Sequence, residues 1–428
     1  MERTVKIENY DKFVHDKPTL HLLSNGERLP SEKVQLYQEA YYEAIDRLVI
    51  SSDKEESSEC NSFLSFNTAV AHHFYSILKS DNQEKGSDPS GTPNPTGTPN
   101  RSGWSPHHIL DHMLAMEGVL TGSKMNVDVD VPSFGDYEDE DCHCVLKNGY
   151  QSVALSLAND LPPNCLLLLN KEVKAIHWSD TAQHKDIPVT VFCQDGSTYA
   201  ADHIIVTVSL GVLKKWCPQQ SKTPPHAGEP LFLPTLPKEK QTAIHKLGYG
   251  AVSKVVLQFP TALSEDHGDL ELFWLEEDHG YPQIHPWATR QFTLNRHHDT
   301  TIYYAWFAGE DAKVVDTLTD QEVAEGVCLV LEKFLQRPVT RPTQIAREAW
   351  SSNPNFLGSY SFNTTGTGQA EREALSQPVN GSTPLQLLFA GEATHATLYS
   401  SVNAAYESGM REANRLLQFH LPHKHMYI

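Results

Sequence analysis

A short apolar run followed directly by an acid constrains the fold of this chain more than any other feature. Leu387 to Gly391 contains no polar side chain, which predicts a buried strand, and Glu392 follows at once. From about 402 to 418 the pattern becomes helical, with one face made of Val402, Tyr406, Gly409, Ala413 and Leu416. A buried strand that leads through a turn into a helix belongs to a sheet covered by helices.

The rest of the chain mixes helical and strand patterns. Helices are predicted at 31–50, 62–79, 106–120 and 151–161, and after the capping box Thr319 to Glu322, with the apolar stripe Val323, Val327, Val330, Leu331 and Phe334. Strands are predicted at 166–169, 173–178, 189–193, 204–208, 254–259 and 301–308, and Asp195-Gly196 predicts a hairpin turn. This mixture predicts an α/β or mixed α+β fold of two intertwined domains, rather than a repeat protein or a helical bundle.

Length and charge limit the classes of function. The 428 residues, 39% of them hydrophobic, suffice for two cores. The 34 basic and 54 acidic residues give a net charge of −20, which argues against a nucleic-acid partner, because phosphate contacts need clustered Lys and Arg. The acidity either steers cations toward a cleft or serves solubility alone.

Composition also bears on metals, membranes and compartment. Cys142, His143 and Cys144 have no second Cys/His pair at zinc-site spacing, so no metal is predicted. No stretch reaches about 20 apolar residues, so no membrane partner is expected. The cysteine pattern fits a reducing compartment, and the expected localisation is cytoplasmic. The Gly-, Ser-, Thr-, Pro- and Asn-rich stretch 86–103 predicts a disordered insertion at 80–103.

The turn after the apolar run has the residue types of a cofactor site. A helix N-terminus offers free N–H groups and partial positive charge. An acid such as Glu392 can accept hydrogen bonds from sugar-like hydroxyls, and small residues such as Ala404, Ala405 and Gly409 allow a bulky group to approach. The alternative is an ordinary strand–turn–helix unit with a solvated Glu392.

The segment from Phe389 to His395 resembles the C-terminal signature of flavin-dependent amine oxidases, most closely the animal spermine and N-acetylpolyamine oxidases. Three further stretches carry the same resemblance, namely 170–178, 202–214 and 349–361. The likeness therefore extends over most of the chain.

The resemblance implies FAD as the cofactor and assigns residues to it. Glu392 would bind the ribityl chain, and the backbone at Ser401 and Val402 would face the pyrimidine edge of the flavin. Val173 would hold the adenine through its main chain, and Trp350 would pack on the ring system. For Trp350 the alternative is plain core packing.

The resemblance also assigns residues to catalysis and to the substrate. Lys254 would be the catalytic lysine that holds a water near the flavin N5; among apolar neighbours its pKa should fall. Tyr360 and Tyr399 would line an aromatic slot for the amine, and Glu117 would pair with a substrate ammonium. The alternatives are an exposed strand lysine, core aromatics and a solvated helix acid.

The chain departs from the family in two places. It has no Gly-x-Gly-x-x-Gly turn, the feature that grips the cofactor pyrophosphate, so we expect weak FAD binding. Val402 to Ala405 stands where the family has Thr-His-Gly-Ala. Three explanations stay open: a fragment of a working oxidase lacking the N-terminal dinucleotide-binding segment, a short isoform without activity, and a pseudoenzyme.

The implied activity is oxidation of a polyamine, spermine or an N-acetylated polyamine, by O2 to H2O2, an aldehyde and a shorter amine. The alternatives are a non-catalytic protein that binds polyamine or a protein partner, and a protein-lysine demethylase. The expected domains are a substrate domain formed by 1–135 (with the insertion) and 217–345, and an incomplete FAD-binding domain formed by 136–216 and 346–428. No particular protein partner is indicated.

Overall fold

The computed structural model describes residues 10–12, 17–52, 65–84, 104–123, 126, 128–138, 144–146, 149–178, 189–217, 230–278, 283–290, 293–298, 300–381 and 384–421. Helices and mixed sheets alternate along these residues, so the predicted mixed α/β class is confirmed. The Cys142–His143 pair and residues 85–103 of the predicted insertion lie outside the described residues. Residues 80–84 of that insertion end a helix instead, so the prediction of disorder is wrong there.

The helices of the described residues are α1 (Ser31–Ser52), α2 (Phe66–Glu84), α3 (Pro106–Thr121), α4 (Gln151–Asn159), α5 (Leu210–Trp216), α6 (Lys238–Lys246), α7 (Gly309–Thr317), α8 (Asp320–Leu335), α9 (Gln369–Ser376) and α10 (Val402–His420). The strands are β1 (Tyr10–Lys12), β2 (Leu20–Leu23), β3 (Cys144–Leu146), β4 (Val173–His177), β5 (Val189–Cys193), β6 (Thr198–Ala201), β7 (Ile204–Val206), β8 (Phe232–Leu233), β9 (Gly248–Tyr249), β10 (Val252–Gln258), β11 (Leu270–Phe273), β12 (Thr293–Arg296), β13 (Ile302–Ala308), β14 (Gln344–Arg347), β15 (Ser361–Phe362) and β16 (Leu387–Phe389).

A six-stranded sheet in the order β14-β10-β13-β12-β11-β2 supports the first core. Its pairs are antiparallel except β11 and β2, which run parallel. The buried face of β10 consists of Val255 and Leu257, as the alternation predicts, and α8 packs its stripe against the same core. The capping box of α8 is present, because Thr319 Oγ1 accepts a bond from the Glu322 amide and Glu322 accepts one from the Thr319 amide.

The other face of this sheet, which we call the α3 face, belongs to a second core built with α1, α2 and α3. The ring of His112 in α3 lies 4.5 Å from the ring of Phe273 in β11, between centroids. The Oγ1 atom of Thr293 in β12 donates to Met116 Sδ of α3 at 3.5 Å. α3 therefore lies directly against this face.

A third core joins two smaller sheets. The four-stranded sheet has the order β6-β5-β4-β8, and the predicted hairpin at Asp195-Gly196 connects β5 to β6. β16 pairs in parallel with β7, and their side chains share a core with α5, α6 and α9. β16 is wholly buried, as the apolar run predicts, and it ends at the turn that carries Glu392.

Three expectations about individual segments are wrong or incomplete. Residues 166–169 form no strand, and their four leucine side chains are exposed. In the predicted strand at 204–208, only 204–206 is strand, and Ile205 and Val208 are exposed. α10 buries Ala404, Ser408 and Glu412, whereas the predicted face at Val402 and Tyr406 is exposed. Whether these segments are buried depends on packing partners that are distant in sequence, and the periodicity of a segment does not identify those partners.

Candidate functional site

The carboxylate of Glu392 is the centre of the most elaborate polar cluster at the end of β16. The amide and the hydroxyl of Ser361 donate to it at 3.1 and 2.7 Å, and the amide of Ser400 donates at 2.7 Å. Burial raises the pKa of Glu392, and these bonds together with the nearby Arg372 cation oppose the rise. The preceding residue, Gly391, has φ +128°, a conformation that glycine adopts without strain. Glu392 is therefore held in place rather than solvated.

Arg372 was not identified from the sequence, yet it organises this cluster. Its side chain is fully buried, with Nε donating to Asn363 Oδ1 at 2.8 Å and Nη1 to Ser361 Oγ at 2.9 Å. Its Nη2 atom has no hydrogen-bond partner among the described residues. Burial lowers the pKa of Arg372 to about 10. Its position on the buried face of α9 could have identified it, because a buried arginine needs polar partners.

Tyr399 and Ser401 lie beside this cluster. The Tyr399 ring stacks on the Arg372 guanidinium, 3.5 Å from its central carbon, and burial raises the pKa of Tyr399 to about 12. Ser401 caps α10 by accepting a bond from the Ala404 amide at 3.0 Å. Val402, the first residue of that helix, is exposed. Three of the residues assigned to the flavin, and one assigned to the substrate slot, thus lie within one short segment.

Val173 and Trp350 are exposed and lie on other elements. Val173 is the first residue of β4. β4 pairs with β8 only from Ile176 onward, so at Val173 the strand has a neighbour, β5, on one side alone. Trp350 is 37% exposed and packs edge-on against Phe356 at 4.8 Å. Plain core packing therefore does not describe Trp350. None of the contacts found in the described part of the chain joins Val173 or Trp350 to Glu392.

Lys254 extends from β10 on the α3 face beside two aromatic rings and stays exposed to solvent, as the alternative of an exposed strand lysine expects. Its Nζ lies 4.4 Å from the centroid of Tyr304 and 4.9 Å from that of Trp306. Burial lowers the pKa of Lys254, as the sequence predicts for a lysine in these surroundings. Cation–π contacts favour the protonated form, so the two effects oppose each other at this amine.

Glu117 lies in α3 and is largely shielded from solvent. Tyr41 of α1 donates its hydroxyl proton to the carboxylate at 3.4 Å. Burial raises the pKa of Glu117 to about 7, although the Tyr41 bond acts against the rise. The reading of a solvated helix acid does not apply, because this carboxyl group changes charge close to neutral pH.

Tyr360 connects α3, the helix that carries Glu117, to the cluster around Glu392. Its hydroxyl donates to the Val119 carbonyl near the C-terminus of α3, and its own carbonyl accepts from the Gly250 amide at 2.7 Å. The next residue is Ser361, which holds Glu392. Gly250 and Gly122 touch so closely that a Cβ on Gly250 would lie 2.5 Å from the Gly122 carbonyl oxygen. The helix of Glu117, the strand of Lys254 and the Glu392 cluster are thus fixed to one another.

The residues present fit one half of a flavin nucleotide. Glu392 keeps lone-pair capacity for a hydroxyl donor, α10 presents its N-terminus beside it, and Trp350 offers an exposed aromatic face. For the pyrophosphate half, the chain has no Gly-x-Gly-x-x-Gly turn. Within the described ranges there is no group of three or more Asp, Glu, His or Cys side chains arranged to hold a metal ion.

Comparison with known proteins identifies relatives of this chain. The family model "Flavin containing amine oxidoreductase" matches residues 103–417. Polyamine oxidase 1 of Oryza sativa subsp. japonica is 34% identical over 315 residues, which are 68% of this chain and 60% of the relative. The peroxisomal N(1)-acetyl-spermine/spermidine oxidase of Homo sapiens is 31% identical over 332 residues, 73% and 63% of the two chains. Lysine-specific histone demethylase 2 of Homo sapiens is 28% identical over 287 residues, 65% and 30%.

Two further facts bear on the comparison of this chain with its relatives. The chain spans less than two thirds of the length of the two oxidases named above. Among the described residues, no helix combines the length and the apolar character that crossing a membrane would require.

Proposed function

Because the chain belongs to the flavin-containing amine oxidoreductase family, we propose that it takes part in the FAD-dependent oxidation of polyamines by O2. The bond oxidised is the C–N bond at the carbon next to a secondary amine. The products are H2O2, an aldehyde and a shorter amine, with water supplying the aldehyde oxygen. The family implies a flavin, and FAD is the form proposed here.

One observation carries the proposal. Glu117, Lys254 and Glu392 occupy three different elements, yet Tyr360 and Ser361 connect all three through direct hydrogen bonds or the adjoining backbone. The acid suits a cationic amine, the lysine among aromatic rings suits proton handling, and the Glu392 cluster suits a ribityl chain. An ordinary packing role would not require these residue types to be joined in this way.

Each side chain has a definite task in this proposal. A flavin bound beside Glu392 would supply the hydride acceptor and the route by which the electrons reach O2. The reacting nitrogen must be neutral, since a protonated amine has no lone pair to assist hydride loss. Glu117, with a pKa of about 7, holds a neighbouring ammonium or accepts the proton that the amine releases. Lys254 holds or moves a proton at Nζ, where burial lowers its pKa.

A peroxide assay tests the proposal. The chain, supplied with FAD in excess, is given spermine, N-acetylspermine, a simple monoamine and a methylated lysine peptide. We expect peroxide with one or both polyamines. Turnover of the monoamine alone, or of the peptide alone, would refute the polyamine assignment, and the second outcome would favour a demethylase, in line with the more distant relatives. Flavin-independent spermine binding without turnover would favour a binding protein.

The expectation of a reducing, cytoplasmic environment is part of the same proposal. Four cysteines, Cys165, Cys193, Cys217 and Cys328, are free thiols among the described residues. Cell fractionation with an antibody against the chain tests this point, and enrichment in a secreted fraction would contradict it.

A further inference from the structure

A short series of hydrogen bonds joins a buried cation to the carboxyl group of Glu392. Arg372 Nη1 donates to Ser361 Oγ at 2.9 Å, and Ser361 Oγ donates to Glu392 Oε2 at 2.7 Å. An arginine side chain can only donate, so the Ser361 oxygen accepts from Arg372 and gives its single proton to Glu392. The series therefore runs in one direction, from the guanidinium to the carboxyl group.

The donors around Glu392 match an ionised carboxylate. The amide of Ser400, which can only donate, also donates to Oε2 at 2.7 Å, and the amide of Ser361 donates to Oε1 at 3.1 Å. Two donors thus meet Oε2 and one meets Oε1, which suits a group that only accepts. A carboxylate has about four acceptor positions, so the one that remains lies on Oε1.

Arg372 and Glu392 stabilise each other as charges. Arg372 is fully buried, and a buried cation without a counter-charge is costly. Burial lowers the pKa of Arg372, and the proximity of Tyr399 and Glu392 opposes that fall. Burial raises the pKa of Glu392, and the Ser361 bond and the charge of Arg372 oppose that rise. Loss of either charge would leave the other less stable in its ionised form.

The phenols of Tyr249 and Tyr399 flank this pair. Tyr249 of β9 faces Glu392, Tyr399 stacks on Arg372, and burial raises the pKa of each phenol to about 12, so both are neutral near pH 7. Two aspartates add to the rise in the pKa of Tyr399, Asp136 and Asp130. The positive charge that acts on Glu392 therefore comes from Arg372.

A ligand can reach only one member of the pair. Glu392 is partly exposed, whereas Arg372 has no exposed surface. A hydrogen bond to an ionised acceptor is roughly twice as strong as one between neutral groups. Arg372 can therefore change the affinity for a hydroxyl-bearing ligand only through the charge of Glu392.

We propose that Arg372 is a positioning residue that acts through Ser361. Its charge keeps Glu392 a carboxylate at neutral pH, so that Glu392 can accept a hydrogen bond from a hydroxyl of the ribityl chain. This inference rests on the proposed function, since it takes a flavin as the ligand of Glu392.

Infrared spectroscopy tests the proton on Glu392 without any ligand. The C=O stretch of a protonated carboxyl group is resolved from carboxylate bands, and Glu392→Gln identifies its contribution in each background. At pH 7 we expect an ionised Glu392 in the wild type and a protonated one in Arg372→Met. Arg372→Lys keeps a cation and should restore the ionised form at least in part. A protonated Glu392 in the wild type, or an ionised one in folded Arg372→Met, overturns the inference.

Two further variants make this test specific. Arg411→Met removes an arginine that donates to backbone carbonyls at the same turn, and it should leave Glu392 ionised. Ser361→Ala keeps both charges but removes the hydroxyl between them, so it should protonate part of Glu392; it also keeps the test usable where Arg372→Met fails to fold. Protonation in Arg411→Met to the same extent as in Arg372→Met, or a fully ionised Glu392 in Ser361→Ala, would contradict the inference.

Riboflavin tests the consequence for the cofactor. It has the ring system and the ribityl chain without phosphates, so it probes the half of the nucleotide that these residues fit. Quenching of its fluorescence at pH 7 should show an affinity about 10-fold lower for Arg372→Met than for the wild type, partial recovery in Arg372→Lys and little change in Arg411→Met. Equal binding, or none, in the wild type and Arg372→Met would overturn the link to the cofactor. The expected proton states and affinities without polyamine oxidation would refute the proposed function alone.

Discussion

Lys254 and Glu117 obtain their shifted pKa values from burial more than from paired charges. The pKa of Lys254 is lowered and that of Glu117 is raised, and desolvation is the main cause in both cases. Two groups of opposite sign are thereby moved toward neutral pH within one connected framework. Such displaced pKa values are common where a protein must take up or release protons.

Replacing Lys254 by Met tests its catalytic role. If Lys254 acts on the protons of the reaction, flavin reduction or reoxidation should slow by about 10²- to 10⁴-fold, with little change in substrate affinity. Met keeps the length and apolar character of the stem, so the strand should pack as before. Stopped-flow absorbance measures both half-reactions. Wild-type rates in the variant would remove Lys254 from the mechanism.

Glu117 should make stability depend on pH in a specific window. Its pKa is about 7 in the folded protein and near 4.5 when exposed, so between these values the folded state binds more protons than the unfolded state. The free energy of unfolding should therefore fall as pH rises from about 4.5 to 7, by about 3 kcal/mol in all. Urea unfolding at several pH values measures this. Glu117→Gln should flatten the profile, and an unchanged profile would contradict the assignment.

Arg372 should matter far more for stability than an exposed arginine. Arg372→Met removes the charged partner of Ser361 and Asn363 and leaves their oxygens buried, so we expect a loss of about 3 kcal/mol. Arg47→Met, which breaks an exposed pair with Glu43 in α1, should cost about 0.5 kcal/mol or less. Denaturant unfolding of both variants compares them. Equal, small losses would mean that Arg372 does not hold the Glu392 cluster together.

At the scale of elements, local sequence patterns predicted helices, strands and turns correctly where residues close in sequence determine the structure. The capping box of α8, its buried stripe, the hairpin between β5 and β6 and the alternation of β10 are all confirmed. The predictions are wrong where packing against residues distant in sequence determines the structure. Residues 166–169 have the composition of a strand but no pairing strand beside them among the described residues. α10 buries Ala404, Ser408 and Glu412 rather than its large apolar residues, and Ser408 accepts a bond from the Gly391 amide.

The same substitution at an exposed and at a buried leucine tests how much each side chain contributes to stability. Leu167→Ala in the exposed segment should change the free energy of unfolding by no more than about 0.5 kcal/mol. Leu257→Ala in β10, where the side chain is fully buried, should cost about 2–5 kcal/mol. Both are read from urea unfolding curves. A large loss at Leu167 would show that the segment packs against something in solution.

The candidate site was predicted in part for the same reason. The resemblance to a family supplied Glu392, Tyr399, Ser401, Lys254 and Glu117, since its signatures are short and continuous. Arg372 was missed, because its significance depends on contacts between elements that are distant in sequence. Only the fold brings Arg372 of α9 to Tyr399.

At the scale of the whole molecule, two sites of different chemistry are joined by a short segment. The Glu392 cluster suits part of a flavin, Glu117 and Lys254 suit an amine, and Tyr360 with Ser361 joins these groups. The net charge of −20 favours the approach of a polyamine over that of an anion. The proposed function requires that electrons pass from a polyamine to a bound flavin.

Anaerobic reduction of flavin tests this requirement without the O2 half-reaction. The chain is mixed with FAD and then with spermine in the absence of O2, and the visible absorbance of the oxidised flavin is followed. We expect spermine to bleach this absorbance, a monoamine of similar basicity to leave it unchanged, and admission of O2 to restore it with formation of H2O2. Flavin that stays oxidised with spermine, or that is bleached equally fast by the monoamine, would refute the proposed function.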